Sequence, residues 1–215
     1  MASSVDKAEG SCDLFSMKED FYTPKFERAD VVELTGVSPG TLANWLKRPI
    51  GKGGISITPE HIGGTGNRRL FSAFDLVKAQ TVLHLVEFTG PALADELISS
   101  ANFREWVNLS LEHRGSAETA PPEEHQKHFA IMYKHGGKFV VDYITSPALL
   151  DEFKRARESL PDAAKPYIHI PVGAIVDNVA QQVDLWEISR KAPGDRTQAE
   201  RAILAMAKHR AKGAE

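Results

Sequence analysis

The sequence predicts an α+β fold, and three observations carry that expectation. Helix starts and stops cluster around Gly36 and Gly90 in the N-terminal half. Large apolar residues alternate over 129–143, interrupted by Gly136-Gly137, as in a β-hairpin. Val172, Val176, Val179, Val183 and Trp186 are spaced 4, 3, 4 and 3 in a helix opened by Pro171. The implied organisation is a disordered tail at 1–20, a helix–turn–helix unit with a basic wing at 21–104, a linker at 105–126, and a small α+β domain at 127–215. That last domain carries the β-hairpin and the long helix.

Each N-terminal element has a local reason. Val31 and Leu34 give the inner face of a first short helix, and Gly36 can take the positive φ its end requires. Val37 then packs into the corner. Ser38 caps the next helix, with Pro39 at its first position, where a missing N–H costs nothing. Leu42, Trp45 and Leu46 form one apolar stripe; Trp45 reads as a core anchor or as an aromatic leaning on sugar-phosphate. Pro49 disfavours helical geometry at Arg48, so the helix ends there. Ile50–Gly66 holds six glycines and a β-like run at Ile55–Ile57, the composition of a flexible wing. Ser72 and Asp75 form a capping box for a third helix lined by Leu76, Ala79, Leu83 and Val86. Gly90-Pro91 breaks that helix, and 91–101 reads as a fourth.

The exposed face of the second helix carries Gly40, Thr41, Ala43, Asn44, Lys47 and Arg48. Small, hydrogen-bonding and cationic side chains suit a helix lying in a major groove about 12 Å wide. Ser38, Thr41, Ala43, Asn44 and Lys47 are therefore candidate DNA contacts, with Asn44 as the base reader, since an amide can bond an adenine edge bidentately. Lys47, Arg48, Lys52, Arg68 and Arg69 are candidate phosphate contacts. Thr41–Arg69 holds these five cations against Glu60 alone, a net of +4 on a chain whose overall charge is −3. A basic site on a mildly acidic body favours docking in one orientation.

The stretches L-T-G-V-S-P-G-T-L at Leu34–Leu42 and R-L-F-S-A-F-D-L at Arg69–Leu76 resemble the winged helix-turn-helix of the MerR family and its relatives among phage excisionases and terminase small subunits. The resemblance covers about 75 residues, from near Phe26 to near Ala101, and is silent on the rest. It implies double-stranded DNA as partner, Arg69 on backbone phosphate beside Phe71, and no enzymatic activity or cofactor. Where the family usually has an arginine and two tyrosines after the T-L pair, this chain has Ala43, Asn44 and Trp45. That spelling is closer to the excisionase and terminase style, and the wing is longer than usual.

In the second half, Leu109–Gln126 is charge-rich and contains Pro121-Pro122, which reads as linker. Phe129, Ile131 and Tyr133 pair with Phe139, Val141 and Tyr143 across Lys134–Gly137, and Tyr167–Ile170 can add a third strand. Ser146-Pro147 caps a helix with Leu149, Leu150 and Phe153 inward. The heptad stripe of the long helix fits a coiled coil and burial against the sheet equally well. Thr197-x-x-Glu200 caps a last helix containing Ile203, Leu204 and Met206.

One cysteine, Cys12, permits no intrachain disulfide and no thiol-ligated metal sensor site. No apolar run reaches the length of a membrane span, and a cytoplasmic location is expected. His125, His128 and His135 lack a completing cysteine, so no metal is expected. The glycine-rich wing fails the phosphate-loop pattern, and no nucleophile elbow is present. The expected function is sequence-specific DNA binding in transcription regulation, as a homodimer assembled by the C-terminal half, with room for another regulatory protein. Two alternatives stay open: an excisionase or terminase small subunit, and a ligand- or protein-binding module in the C-terminal half.

Overall fold

A computed structural model describes residues 19–48, 55–57, 59–62, 68–115, 129–135, 138–144, 147–158 and 167–212. The described helices are α1 (Arg28–Thr35), α2 (Pro39–Lys47), α3 (Ala73–Thr89), α4 (Pro91–Ser99), α5 (Ala101–Gly115), α6 (Pro147–Glu158), α7 (Val172–Arg190) and α8 (Gln198–Lys212). Five strands accompany them: β1 (Glu60–Ile62), β2 (Arg68–Leu70), β3 (Phe129–His135), β4 (Lys138–Ile144) and β5 (Ile168–Ile170). β1 and β2 form an antiparallel hairpin, and β4-β3-β5 form a three-stranded antiparallel sheet. The chain is thus a mixed helix-and-strand protein.

The centre is α3. Ser72 and Asp75 satisfy each other's backbone N–H at 3.0 and 3.2 Å, so the helix starts with its first donors paired. Ala73, Leu76, Val77, Ala79, Val82 and Leu85 are fully buried around its circumference. Thr81 is buried too, its hydroxyl donating to the Val77 carbonyl at 2.8 Å. A helix apolar on most sides must be covered on most sides; α1, α4, α7 and β5 cover it. Gly90, with φ 73°, turns the chain back, and Pro91 opens α4.

One hydrophobic cluster runs from Phe21 through Phe103, Trp106 and Leu111 to Met132, Ile170 and Val183. Both halves of the chain therefore share a core. The segment expected as a linker from 105 is helical through Gly115, with Trp106, Val107 and Leu111 buried; 116–128 lie outside the described residues. Phe103, Trp106, Val107, Ser110 and Leu111 follow helical spacing, and the charges at Arg104, Glu105 and Glu112 are its solvent face. The expected tail boundary also moves, because 19–22 form a helical turn and Phe21 is buried, while 1–18 lie outside the described residues.

The sheet divides its faces by alternation. Ala130 and Met132 join the main core, while Phe129 and Ile131 meet Leu150 and Phe153 of α6. β3 and β4 pair antiparallel as expected, with His135 and Lys138 as register partners; Gly136-Gly137 lie outside the described residues. β5 pairs with β3 as the third strand. Leu149, expected inward, is 40% exposed, because the i, i+3 pair Leu150 and Phe153 takes the sheet-facing side. Val172, Val176, Val179 and Val183 are buried in the shared core, which decides the heptad stripe in favour of burial. Thr197 and Glu200 form the expected cap of α8, with the Thr197 N–H donating to Glu200 at 2.8 Å and the Glu200 N–H donating to Thr197 at 3.2 Å. Ile203 and Met206, one turn apart on that helix, are 41% and 57% exposed.

Asp30 ties the ends of the fold together. Its carboxylate, 5% exposed, accepts the Glu27 N–H (2.7 Å), the Trp186 Nε1–H (3.1 Å) and an Arg190 guanidinium N–H (2.7 Å). Arg190 lies 4.2 Å from the Trp186 ring centroid, and that ring contacts Phe26 at 4.8 Å. Beside it, Lys25 bridges Asp20 at 2.9 Å and pairs with Glu187.

Asp30→Ala removes three acceptor contacts and should cost about 2 kcal/mol, whereas Asp30→Asn, which keeps one carbonyl oxygen, should cost less. Urea unfolding of the two variants beside wild type measures both. A second expectation comes from Tyr143, which stacks on Trp106 and bonds the Ser110 hydroxyl at 3.0 Å. Burial pushes its phenol up from 10.0 to about 12, with the Ser110 bond pulling the other way. Because the folded value is the higher one, this contribution is complete below pH 10 and fades as pH climbs toward 12. Unfolding free energies of Tyr143→Phe should therefore fall less steeply across that interval than those of wild type.

Candidate nucleic-acid interface

Local chemistry sets the angle between α1 and α2. Gly36 has φ 73°, a conformation in which a side chain would be strained, and its N–H closes α1 on the Val32 carbonyl at 3.0 Å. Val37 is buried in the corner. Ser38 Oγ accepts the Thr41 N–H at 3.0 Å, and its own hydroxyl donates to Thr41 Oγ1 at 2.8 Å. Pro39 occupies the first turn of α2. At the far end the Arg48 N–H reaches the Asn44 carbonyl, and Arg48 is already extended at φ −79°, ψ 143°.

One brace joins the two helices to each other and another holds them to the body. Arg28, at the start of α1, donates from its guanidinium to the Pro39 carbonyl at 2.8 Å. Gln80 on α3 donates to the Leu34 carbonyl at 3.3 Å and accepts from Asn178 of α7 at 3.1 Å. A chain of amide contacts thus runs from α7 through α3 to the turn.

The faces of α2 separate cleanly. Leu42 and Trp45 are buried and Leu46 is half-buried. Trp45 is therefore a core anchor, which excludes the alternative of an indole lying on sugar-phosphate. Asn44, Lys47 and Arg48 are exposed, as is Ser38; Thr41 and Ala43 are half-buried. Among the described residues the Asn44 amide has no hydrogen-bond partner, and Lys47 and Arg48 form no ion pair. The Thr41 hydroxyl already accepts from Ser38, so it is less free than the sequence suggested.

In the hairpin, His61 faces Arg69 across the ladder and Ile62 faces Arg68. Arg69 is exposed and unpaired among the described residues. The Arg68 side chain, Lys52 and the hairpin tip at 63–67 lie outside what the structure describes. Ile55–Ile57, expected as β-like, is not a strand; both isoleucines are buried against the core and the strand begins at Glu60. Directly after β2, Phe71 forms an antiparallel bridge with Phe26, two residues before Arg28. The hairpin base and the start of α1 are thereby joined.

Arg28 is the cation that motif reading missed. It lies upstream of the turn, and its position in the sequence gives no sign that it spans to α2. Glu27, just before α1, and Glu33 on α1 are also exposed, so Arg28 stands among acidic neighbours, unlike Lys47 and Arg48 at the end of α2.

Among the described residues no group of three or more histidine, cysteine, aspartate or glutamate side chains converges to hold a metal. His125 and His128, and the side chain of His135, fall outside the described residues. No described helix is long and apolar enough to cross a membrane. A cleft of about 200 Å³ is lined by Leu93, Glu96, Asn102, Trp106, Met132 and Val141 among others, none of them on α2 or the β1–β2 hairpin. No protein-family model matches the chain, and no curated protein is detectably similar to it in sequence.

Proposed function

We propose that this chain is a sequence-specific double-stranded DNA-binding protein that regulates transcription, with α2 as the element that enters the major groove. The observation that carries the reading is the split of α2 into a buried apolar face and an exposed face bearing Asn44, Lys47 and Arg48, none of them paired among the described residues. A helix with its side chains is about 10–12 Å in diameter and fits a groove about 12 Å wide, and nine residues run about 14 Å along it. In this reading Asn44 contacts a base edge, Lys47 lies beside it, and Arg48, Arg69, Lys52 and Arg68 neutralise phosphates. Ser38 sits at the N-terminus of α2, where its hydroxyl already caps the Thr41 N–H and is exposed beside the groove-facing side chains. Arg28 joins them as a cation at the α1–α2 junction. The MerR-like motif resemblance supports the same assignment.

One short helix touches few bases, so the reading includes a homodimer on a two-fold or repeated site. The exposed Ile203 and Met206 on α8 supply apolar surface for such a contact. An excisionase or terminase small subunit would use the same surface on a different site; a footprint on tandem attachment-site repeats, rather than at a promoter, identifies it. The cleft beside Trp106, where Met132 and Val141 of the sheet meet Leu93, Glu96 and Asn102, is the specific observation that favours an effector-binding role, shared between the two halves.

Selection of bound duplexes from random DNA should return a defined motif. On that motif, Asn44→Ala should lose about 1–3 kcal/mol of specific binding and little nonspecific binding. Arg69→Ala should weaken both and reduce the salt slope by about 1. Fluorescence anisotropy across a salt series distinguishes the two, and equal effects from both changes would refute the division of roles. Sedimentation at micromolar concentration should give a dimer; a monomer removes that part of the proposal.

A further inference from the structure

The β1–β2 hairpin is anchored where it leaves the body and again where it returns. On the return, Phe71 exchanges backbone hydrogen bonds with Phe26 at 2.9 and 3.0 Å. On departure, Ile55 and Ile57 are buried and the residue between them is gripped by side chains from two helices. Asp95 of α4, itself 5% exposed, accepts the Ser56 N–H at 2.5 Å. Lys78 of α3 donates from Nζ to the Ser56 carbonyl at 3.0 Å, with its ammonium 4.8 Å from the Phe74 ring centroid.

A half-buried peptide unit needs a donor and an acceptor, and a neighbouring strand is the usual supplier. Here two ionised side chains supply them, although burying charge is costly. Burial lowers the pKa of the Lys78 ammonium, while Asp75 and Asp95 act against that shift and Arg104 adds to it. The grip fixes the chain four residues before β1, and Lys52 lies four residues before Ser56. With both ends pinned, the hairpin has one direction; with only the Phe26–Phe71 bridge it can pivot.

We propose that Lys78 and Asp95 are positioning residues for the wing, orienting the hairpin so that Arg69 reaches phosphate. The proposal rests on the DNA-binding reading above and adds to it a second set of residues that never touch DNA. A wing held in its docked direction loses less freedom on binding than one that pivots. The lost contribution should thus be electrostatic and sequence-independent.

The test uses the full chain with Lys78→Met, Asp95→Ala and Asp95→Asn. In the free protein, hydrogen exchange at the Ser56 amide should accelerate in Asp95→Ala and much less in Asp95→Asn, which keeps an acceptor oxygen. Anisotropy with a selected duplex and a scrambled one should show Lys78→Met and Asp95→Ala binding both about tenfold more weakly, with the salt slope reduced by about 1 and the ratio between the duplexes unchanged. A merely structural role would lower the active fraction in a stoichiometric titration and leave the slope alone. Wild-type slope and affinity in both variants, or unchanged Ser56 exchange in Asp95→Ala, overturns the proposal while the reading stands. If wild type binds neither duplex, reading and proposal fall together.

Discussion

A carboxylate withdrawn from water must find donors or give up its charge, and Asp30 finds three. One comes from its own helix start, the Glu27 N–H; two come from Trp186 and Arg190, about 160 positions away in sequence. The same oxygens therefore cap α1 and fasten α7 to it. Arg190 keeps 60% of its side chain exposed, so this is a buried acid held by a largely hydrated base. Such a pair costs less to assemble than one with both charges buried. The consequence is geometric: α1 cannot tilt without breaking contacts to the C-terminal half, and the direction of α2 follows from α1 through Gly36 and the Arg28–Pro39 brace.

Short-range chemistry was legible in the sequence because it depends on residues a few positions apart. The positive φ at Gly36, the Ser38 and Ser72 caps, the end of α2 before Pro49, the β3–β4 pairing and the Thr197–Glu200 box all rest on local spacing. Errors arose where spacing competes with composition. Leu109–Gly115 carries enough charge and glycine to resemble linker, yet Phe103, Trp106, Val107 and Leu111 sit at helical intervals that bury them. Ile55 and Ile57 alternate like a strand, yet their burial is achieved by an irregular segment tied down by side chains. Alternation reports which residues face inward; it does not report whether a neighbouring strand is present to pair with them.

The exposed positions of the candidate surface were also legible, because they are what remains after Leu42, Trp45 and Leu46 are assigned to the core. What holds that surface in place was not. Gln80, Asn178, Lys78 and Asp95 are ordinary helix residues in sequence, and their partners are 22 to 98 positions distant. Nothing local marks a side chain that will reach a main-chain carbonyl on another element. Arg28 is illegible for the same reason.

These braces share a pattern with a physical rationale. Leu34 and Pro39 flank the turn, Ser56 precedes the hairpin, and each has its carbonyl bonded by a side chain from elsewhere. Helix ends and irregular segments leave main-chain groups outside a regular ladder, so side chains can bond them one at a time, and every such bond also fixes the direction of the neighbouring element. A surface that docks on a rigid partner gains most from such bonds, since affinity lost to ordering rises with each segment that is free to move before contact. On that view α2 and the hairpin are ends of a single frame centred on α3, and the two presentations are coupled through one helix. Tightening one brace should be felt at the other without any change in the residues exposed on α2 or β2.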